Sequence, residues 1–331
     1  MNIKLNFKTE WENLKKEAAR FSKEDIPRVW KGAWQVATPV SWIASTIPMI
    51  LGAILAYKLT GKFSWFWFII ALVGIYLIET GKNAINKLTD FVLGVDGVNG
   101  FSEDEVYNPF TGDSKTAIAT GQLTKIEIAI ISALTLLAGA GIGLLIVVFR
   151  EPRVLLVGIA GLIIAIFYSV PPIKLSYRGL GEISVGLAFG PIVISGIYLV
   201  MSNSWDYRIM LISIPISLLI ANVLIVNEIP DYEEDVEGGK RNLIVRFGVE
   251  KGIEMYKWIF NLSFISLIIL AIIFKNPLWM IGLIAIPVAK RCVQVAKEHY
   301  NNPKMFMEAN GKTILVYVIV GSSMILPIIF L

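Results

Sequence analysis

The chain has 331 residues, of which 55% are hydrophobic and only 17% are charged. This composition excludes an ordinary soluble domain and is typical of a helical membrane protein. One cysteine, Cys292, and one histidine, His299, exclude an internal disulfide, a cysteine cluster and a multi-histidine metal site. Any bound metal is therefore expected to have oxygen ligands.

Residues 1–35 are basic and carry Trp11, Trp30 and Trp34 among lysines and arginines. We predict a helical segment that lies on the membrane surface and is broken near Pro27, with a solvated leader as the alternative. A cleavable signal peptide is not expected, because no short basic stretch followed by an apolar core is evident. Residues 36–331 would then form one membrane domain.

Long apolar runs fill most of this domain. There are nine, at residues 38–57, 64–78, 128–149, 154–173, 183–204, 209–227, 258–274, 276–289 and 313–331. Each is interpreted as a membrane-spanning helix, and the eighth is short unless its helix continues through Lys297. The predicted fold class is all-α: a multi-span integral membrane protein with nine transmembrane helices.

Basic residues are distributed unevenly between the two sides of these helices. If the N-terminus is cytoplasmic, the cytoplasmic segments hold 24 of the 30 lysines and arginines. The positive-inside rule therefore predicts a multi-pass protein of the cell membrane with a cytoplasmic N-terminus. Membrane lipid is an expected partner, and nucleic acid is not.

Two similar sets of polar residues follow apolar runs on this predicted cytoplasmic side. The first set contains an Asn and an Asp four residues apart, and the second repeats that spacing and extends it; the members are Asn86, Asp90, Asp96, Asn227, Asp231 and Asp235. Helical residues at i and i+4 share a face, so each set should direct its oxygens the same way. Solvated charges at helix ends are the alternative interpretation.

Carboxylates and carboxamides supply only oxygen ligands, which suit Mg²⁺ or Mn²⁺. Mg²⁺ commonly takes one or two carboxylates and completes its shell with substrate phosphate oxygens. Cations that would suit the same anion are present nearby, at Lys115, Lys174, Lys240 and Arg241. The last two follow Gly238-Gly239, so complementing a helix C-terminus is their alternative role.

A segment after the fourth run adds an aromatic residue to these candidates. Tyr168 lies just before Pro171-Pro172, and Gly179 and Gly181 allow a tight return into the next helix. Tyr168 is an interfacial anchor, a phosphate hydrogen-bond partner or a ring that shields a carbocation.

With these residues in view, the chain resembles the UbiA superfamily of intramembrane prenyltransferases over nearly its whole length from Trp34. It is most similar to the 1,4-dihydroxy-2-naphthoate prenyltransferases of the menaquinone branch. The first motif of that branch, Asn-x-x-x-Asp-x-x-x-Gly-x-Asp, is met by Asn86, Asp90, Gly94 and Asp96. The second is Asn-x-x-x-Asp-x-x-x-Asp followed by Gly-Lys-Arg-x-Leu-x-Val-Arg-x-Gly, met by Asn227, Asp231, Asp235, Gly239, Lys240, Arg241, Leu243, Val245, Arg246 and Gly248.

The resemblance implies an enzyme with its helices arranged around a central cavity. Two Mg²⁺ ions, with Mn²⁺ as an alternative, would be held by Asn86, Asp90, Asp96, Asp231 and Asp235, and Asp90 and Asp231 would be essential for catalysis. A polyprenyl diphosphate and an aromatic acceptor, 1,4-dihydroxy-2-naphthoate, are the implied substrates. The substrate-binding residues would be Tyr168, Lys174, Asn227, Lys240, Arg241 and Lys115. Related members often carry Lys where this chain has Ser176, and Lys174 is expected to take its place.

Other functions remain open at this stage. Within the superfamily the acceptor is alternatively an ether-lipid glycerol phosphate, 4-hydroxybenzoate or haem. From another class, a cation transporter would also place paired acids within a membrane. Basic residues beside the acids favour an anionic ligand over ion passage.

Overall fold

The computed structural model describes residues 22–93, 117 and 121–331. Asp96 and Lys115, which the sequence analysis assigned to the site, lie outside the described residues. Within these ranges the regular elements are all helical and no strand is present, which confirms the predicted all-α class.

The helices are numbered here in chain order. Their bounds are α1 Ile26–Ala37, α2 Pro39–Thr60, α3 Trp65–Leu93, α4 Lys125–Phe149, α5 Val154–Phe167, α6 Gly181–Ser202, α7 Arg208–Glu228, α8 Tyr232–Glu237, α9 Leu243–Phe247, α10 Val249–Ile273, α11 Pro277–His299 and α12 Pro303–Ile329. The α6 helix contains a π-helical stretch, Ala188–Ile192, at Pro191, and α11 begins with a 3-10 stretch, Pro277–Ala285.

Eight described helices are long and apolar enough to cross a membrane: α2, α3, α4, α6, α7, α10, α11 and α12. The remaining predicted span, the fourth in chain order, corresponds to α5, which has only 14 residues. The prediction that this span extends to residue 173 is wrong, because the helix ends at Phe167, ahead of Pro171 and Pro172, which lack a backbone donor. Conversely, α11 continues to His299, as the eighth run required.

Consecutive spans pack side by side and close into a ring. Strong contacts join α3 to α4, α7 to α10 and α11 to α12, and α12 returns to α2. The α6 helix packs on both α2 and α7, so it connects the first spans of the chain with the later ones. Large apolar side chains on the outside remain exposed, for example Leu137 and Phe149 of α4 at 70% and 72%, as expected for a surface that faces lipid.

Small residues bring α3 and α4 into close contact. Ser132 of α4 donates a hydrogen bond to the carbonyl of Gly81 on α3 at 2.7 Å. A Cβ atom at Gly81 would lie 2.9 Å from the carbonyl oxygen of Ser132. The two backbones can approach this closely only because residue 81 is a glycine, and small residues commonly serve this purpose between membrane helices. The contact holds α3, which carries the first motif, in place.

The α1 helix is the described part of the predicted surface segment. Pro27 stands in its first turn, where a missing N–H costs nothing, so the helix begins there. Arg28 fixes α1 to the start of α4 through Glu127 at 2.7 Å and through the carbonyl of Gln122 at 2.8 Å. Trp30 and Trp34 stay exposed at 72% and 55%, consistent with a helix that lies on a membrane surface.

Candidate active site

The first motif is carried by the C-terminal half of α3, which continues well beyond the predicted apolar run. Asn86 and Asp90 lie one turn apart, and the amide of Asn86 donates to Asp90 Oδ2 at 3.3 Å. Ser169, just after α5, donates to Asn86 Oδ1. These contacts fix both side chains of the motif, and Asp90 is 95% buried.

The second motif does not continue along one helix, and the prediction that its three residues share one helical face is wrong. The α7 helix ends at Glu228, and a turn at Pro230 separates it from α8. Asp231 immediately precedes α8 and is exposed, whereas Asp235 lies within α8 and is buried. Pro230 lacks the N–H that a continuous helix would use, which is the physical reason for the break.

The two motifs meet through Lys240. Its ammonium lies 3.3 Å from Asp235 Oδ1 and 3.8 Å from Asp90 Oδ2. Asn242 donates to the other oxygen of Asp235 at 2.6 Å. The structure therefore brings residues 150 positions apart in the chain into one polar cluster, Asp90, Asp235, Lys240 and Asn242.

The charges in this cluster depend on one another. Burial raises the pKa of Asp235, while the neighbouring Lys240 opposes this effect. Burial alone would lower the pKa of Lys240, but the carboxylates of Asp90 and Asp235 outweigh it and hold that pKa well above its usual range. Lys240 is therefore a cation that the two acids share.

Asp231 stands beside this cluster; the residue is exposed overall, and its carboxyl group interacts with the charges of Asp235 and Lys240. Surrounding protein nonetheless desolvates the group, and this effect, together with the nearby charge of Asp235, raises its pKa to about 7. A cation bound near Asp231 would favour the ionised form. Electrostatically, this position is suited to a positively charged ligand.

The segment between α5 and α6 closes the cluster from the other side. Tyr177 is buried and donates its phenolic hydrogen to Asp90 Oδ1 at 2.6 Å. Lys174 adopts a left-handed backbone conformation with φ of 50° and places its ammonium 4.5 Å from the centre of the Tyr177 ring. Ser176 is buried and donates to the carbonyl of Tyr168, so Lys174, rather than residue 176, presents a cation here.

Tyr168 is buried, and Lys82 of α3 lies over its ring, with the ammonium 4.7 Å from the ring centre. Glu182, at the start of α6, accepts a hydrogen bond from the backbone N–H of Leu243 at 2.8 Å. This contact holds the segment that follows Lys240 against α6.

Two predicted site residues are placed differently from the rest. Asn227 accepts a hydrogen bond from Asn310 of α12 at 2.7 Å, so it also connects α7 to α12. The side chain of Arg241 is exposed, and its backbone contacts Tyr177 and Arg246. The structure does not draw Arg241 into the cluster around Lys240.

The structure places at this site several residues that were not predicted from the sequence: Glu79, Lys82, Ser169, Tyr177 and Asn242. A signal for two of them was present, because Lys82 and Glu79 precede Asn86 by four and seven residues and therefore share its helical face. Asn242 and Ser169 carried no comparable pattern.

The donor chemistry of the site suits a magnesium ion. Among the residues that the structure describes, no three acidic, histidine or cysteine side chains form a group able to hold a metal alone. Mg²⁺ does not require one, since one or two carboxylates together with substrate phosphates form its usual shell in proteins. Oxygen atoms of Asn86, Asp90, Asp231 and Asp235 are the available ligands.

An apolar cavity of about 370 Å³ lies between α3, α4, α5 and α6. Its walls are mainly aliphatic and glycine residues, including Gly74, Gly143 and Gly158. Three side chains bring polar atoms to it: Glu79, Lys82 and Tyr168. Because Lys82 and Tyr168 belong to the surroundings of the first motif, the cavity lies next to the polar cluster.

The structure is an all-helical membrane bundle in which a polar, acid-rich cluster adjoins an apolar cavity, an arrangement suited to a ligand with a charged part and an apolar part. The sequence model of the UbiA prenyltransferase family matches residues 45–311, more than half of the chain. The protein belongs to the UbiA prenyltransferase family, and it is a multi-pass membrane prenyltransferase.

Similar proteins have related names. A 1,4-dihydroxy-2-naphthoate octaprenyltransferase of Haemophilus influenzae is 30% identical over 236 residues, which cover 70% of this chain and 74% of that protein. A chloroplastic 2-carboxy-1,4-naphthoquinone phytyltransferase of Arabidopsis thaliana is 26% identical over 326 residues, covering 93% and 79%.

A solved structure has a similar fold. It is a UbiA homolog from Archaeoglobus fulgidus bound to GPP and Mg²⁺, with a TM-score of 0.63 and 18% identity, and the match covers 91% of this chain and all of that one. The similarity supports the assignment of the fold.

Proposed function

We propose that the protein transfers a polyprenyl group from a polyprenyl diphosphate to an aromatic acceptor, 1,4-dihydroxy-2-naphthoate, in menaquinone biosynthesis, and that the reaction depends on Mg²⁺. The observation that carries this proposal is the meeting of Asp90 and Asp235 around Lys240. Acids and a cation at one point suit a ligand that consists of a metal and a diphosphate.

The metal would be held by oxygens of Asn86, Asp90, Asp231 and Asp235, with Asp96 as a further predicted ligand. When bound, it would neutralise the diphosphate and stabilise its charge as it leaves. We propose two such ions, and Mn²⁺ as an alternative to Mg²⁺. The relative from Archaeoglobus fulgidus, described as bound to GPP and Mg²⁺, supports both the donor and the metal.

Residues of this chain would bind the diphosphate directly. Lys240 is within reach of both acids and can turn from them to phosphate oxygens, and Lys174 presents a second cation beside Tyr177. Tyr168 would cover the allylic carbon with its ring. Lys115, Arg241 and Asn227 remain predicted contacts of the substrate.

The apolar cavity supports this reaction in two ways. An isoprenoid chain is apolar and fits walls made of aliphatic residues. The same walls exclude water, which would otherwise react with the allylic carbon once the C–O bond weakens. The electron-rich ring carbon attacks the prenyl carbon as the diphosphate leaves, and it then loses its own substituent, a proton or carbon dioxide, to restore aromaticity. Hydrolysis competes little with this step because water is excluded.

The names of the relatives support the acceptor. The proteins from Haemophilus influenzae and Arabidopsis thaliana are both named for naphthalene-derived acceptors. We also propose that the protein resides in the cell membrane with the N-terminus and the site on the cytoplasmic side, as the distribution of basic residues predicts. Residues 1–35 would be the surface segment and residues 36–331 the catalytic domain.

The experiment is incubation of the purified protein with geranylgeranyl diphosphate and 1,4-dihydroxy-2-naphthoate, with Mg²⁺ or with EDTA, followed by mass spectrometry. We expect prenylated product with Mg²⁺ and none with EDTA. Asp90→Asn and Asp231→Asn should lower turnover roughly 100-fold or more while the protein remains folded. Near-normal turnover in either variant would show that the assigned role is wrong, and Mg²⁺-dependent donor binding without product would point to another acceptor.

A further inference from the structure

The first motif extends deeper into the membrane than its asparagine. Glu79 and Lys82 lie on the same face of α3 as Asn86, and Glu79 is seven residues, or about 10 Å, further along the helix. Both residues line the apolar cavity. Neither is a member of the predicted metal or diphosphate site.

Glu79 is 93% buried, and neither of its carboxyl oxygens has a hydrogen-bond partner among the residues that the structure describes. The polar groups close enough to act on its carboxyl are the hydroxyl of Ser45, a potential hydrogen-bond donor, and the charged Lys82. Ser45 donates its hydroxyl to the carbonyl of Trp42 at 3.1 Å. A buried carboxyl without a partner is costly, so a ligand that supplies a hydrogen bond is a direct explanation.

Lys82 acts on Glu79 through its charge, but the contacts of its ammonium are with other residues. Its ammonium lies over the ring of Tyr168 and 3.3 Å from Asn83 Oδ1. The cavity therefore presents a hydrogen-bond acceptor and a separate cation within one helical turn, in otherwise apolar surroundings. Tyr168, whose ring contacts Lys82, lines the same cavity.

We propose that Glu79 and Lys82 form the polar end of an acceptor subsite, in which Glu79 accepts a hydrogen bond from a ring hydroxyl and Lys82 pairs with a ring carboxylate. This inference rests on the proposed function. The subsite fits an aromatic ring that carries both a hydroxyl and a carboxylate, and the apolar walls cover the ring faces. A hydrogen bond from the hydroxyl to Glu79 also increases electron density in the ring, which favours attack by a ring carbon.

The test separates acceptor binding from donor binding. Steady-state constants are measured for wild type, Glu79→Gln and Lys82→Met with geranylgeranyl diphosphate and 1,4-dihydroxy-2-naphthoate. The inhibition constant of 1,4-dihydroxynaphthalene, which lacks the carboxylate, is measured in parallel. Glu151→Gln is the matched control, because Glu151 is also a buried acid but does not line the cavity.

We expect Lys82→Met to raise the KM for the naphthoate roughly tenfold or more, with the donor KM and the inhibition constant of dihydroxynaphthalene little changed. Glu79→Gln should raise both the acceptor KM and that inhibition constant roughly tenfold and leave the donor KM unchanged. The control should alter none of these constants, whatever its effect on thermal stability.

If both variants change the KM values for donor and acceptor equally, or change neither, the proposed subsite is wrong, while the proposed function is unaffected. If wild type makes no product from the naphthoate, the proposed function itself fails and the subsite fails with it. A purely structural role for Glu79 would lower the melting temperature and the amount of active protein without separating the two KM values.

Discussion

The phenolic hydroxyl of Tyr177 donates a hydrogen bond to Asp90 Oδ1 at 2.6 Å, and both side chains are buried. Tyr177 follows the turn after α5, whereas Asp90 belongs to α3, so this bond joins two segments that no helix connects. Removal of the hydroxyl leaves a buried carboxylate oxygen without that donor, at a cost of about 1.5–3 kcal/mol for a bond to a charged group.

We therefore expect Tyr177→Phe to lower kcat/KM about ten- to hundredfold and to raise the Mg²⁺ concentration needed for half-maximal activity. The measurement is a Mg²⁺ titration of turnover. Tyr57→Phe is the control, because Tyr57 of α2 is 60% exposed. A Tyr177→Phe enzyme with an unchanged Mg²⁺ profile would show that the bond does not position Asp90.

Replacement of Lys240 by methionine should have opposite effects on stability and on metal response. Without its ammonium, Asp90 and Asp235 repel each other across a buried gap, and the metal-free protein should lose about 3 kcal/mol of stability. Added Mg²⁺ should then raise the melting temperature more in the variant than in wild type. Melting curves in detergent with and without Mg²⁺ provide the comparison.

Lys251→Met is the control for this experiment, since Lys251 of α10 is exposed. Equal Mg²⁺ responses in wild type and Lys240→Met would contradict the view that this lysine and a metal ion neutralise the same two acids.

The pair formed by Glu151 and Arg153 should give the folded protein a measurable dependence on acid. The hydrogen bond from Arg153 lowers the pKa of Glu151 from 4.5 to about 2, and Asn203 contributes a further bond. A carboxyl whose pKa is lower in the folded state stabilises the protein above pH 4.5 and loses that effect as the pH falls towards 2.

Glu151→Gln should therefore cost about 1–2 kcal/mol of stability at pH 7 and almost none near pH 2. Thermal melting of both proteins across this range measures the difference, which isolates Glu151 from the other acids. A difference that is constant with pH would show that the ionised pair contributes nothing.

A methyl group at Gly81 should weaken the contact between α3 and α4. Its Cβ would lie 2.6 Å from Cγ of Leu136 and 2.9 Å from the carbonyl oxygen of Ser132. The backbone of α4 would have to move to relieve the second contact. We expect Gly81→Ala to destabilise the protein by about 1–3 kcal/mol. Gly141→Ala on α4 is the matched control, because a Cβ there meets nothing within 4 Å.

The control should be neutral or stabilise the helix slightly, since alanine favours helix more than glycine does. Similar melting temperatures for both variants would indicate that the two helices separate easily at Gly81.

The sequence alone predicted the class of fold because apolar runs and the distribution of charge are strong signals in membrane proteins. It did not predict where helices begin and end. The α3 helix continues to Leu93 and carries Asn86 and Asp90 within it, because polar residues at a helix end interrupt hydropathy but do not interrupt a helix. The opposite holds for the short α5: its apolar run continues to residue 173, but prolines end the helix earlier, at Phe167.

The candidate site was predictable where residues follow a spacing and not where they meet through tertiary contacts. The repeated Asn and Asp pattern predicted Asp90 and Asp235. It did not predict that both would contact Lys240, because that depends on how the helices pack. Tyr177 and Asn242 contact the same acids through turns whose conformation no local pattern encodes. Glu79 was not predicted because it directly follows the apolar run 64–78, and hydropathy alone does not show that the same helix continues through it.

Lys240, shared by Asp90 and Asp235, also affects when the enzyme would bind magnesium. An acid pair with a tethered ammonium between its members carries one net negative charge at rest instead of two, so its attraction for magnesium in the cell is weakened. A diphosphate that attracts this ammonium frees the carboxylates at the moment when it brings its own oxygen ligands. Under the proposed function, metal and donor would then arrive together, and the protein could remain abundant in the membrane without acting as a magnesium store.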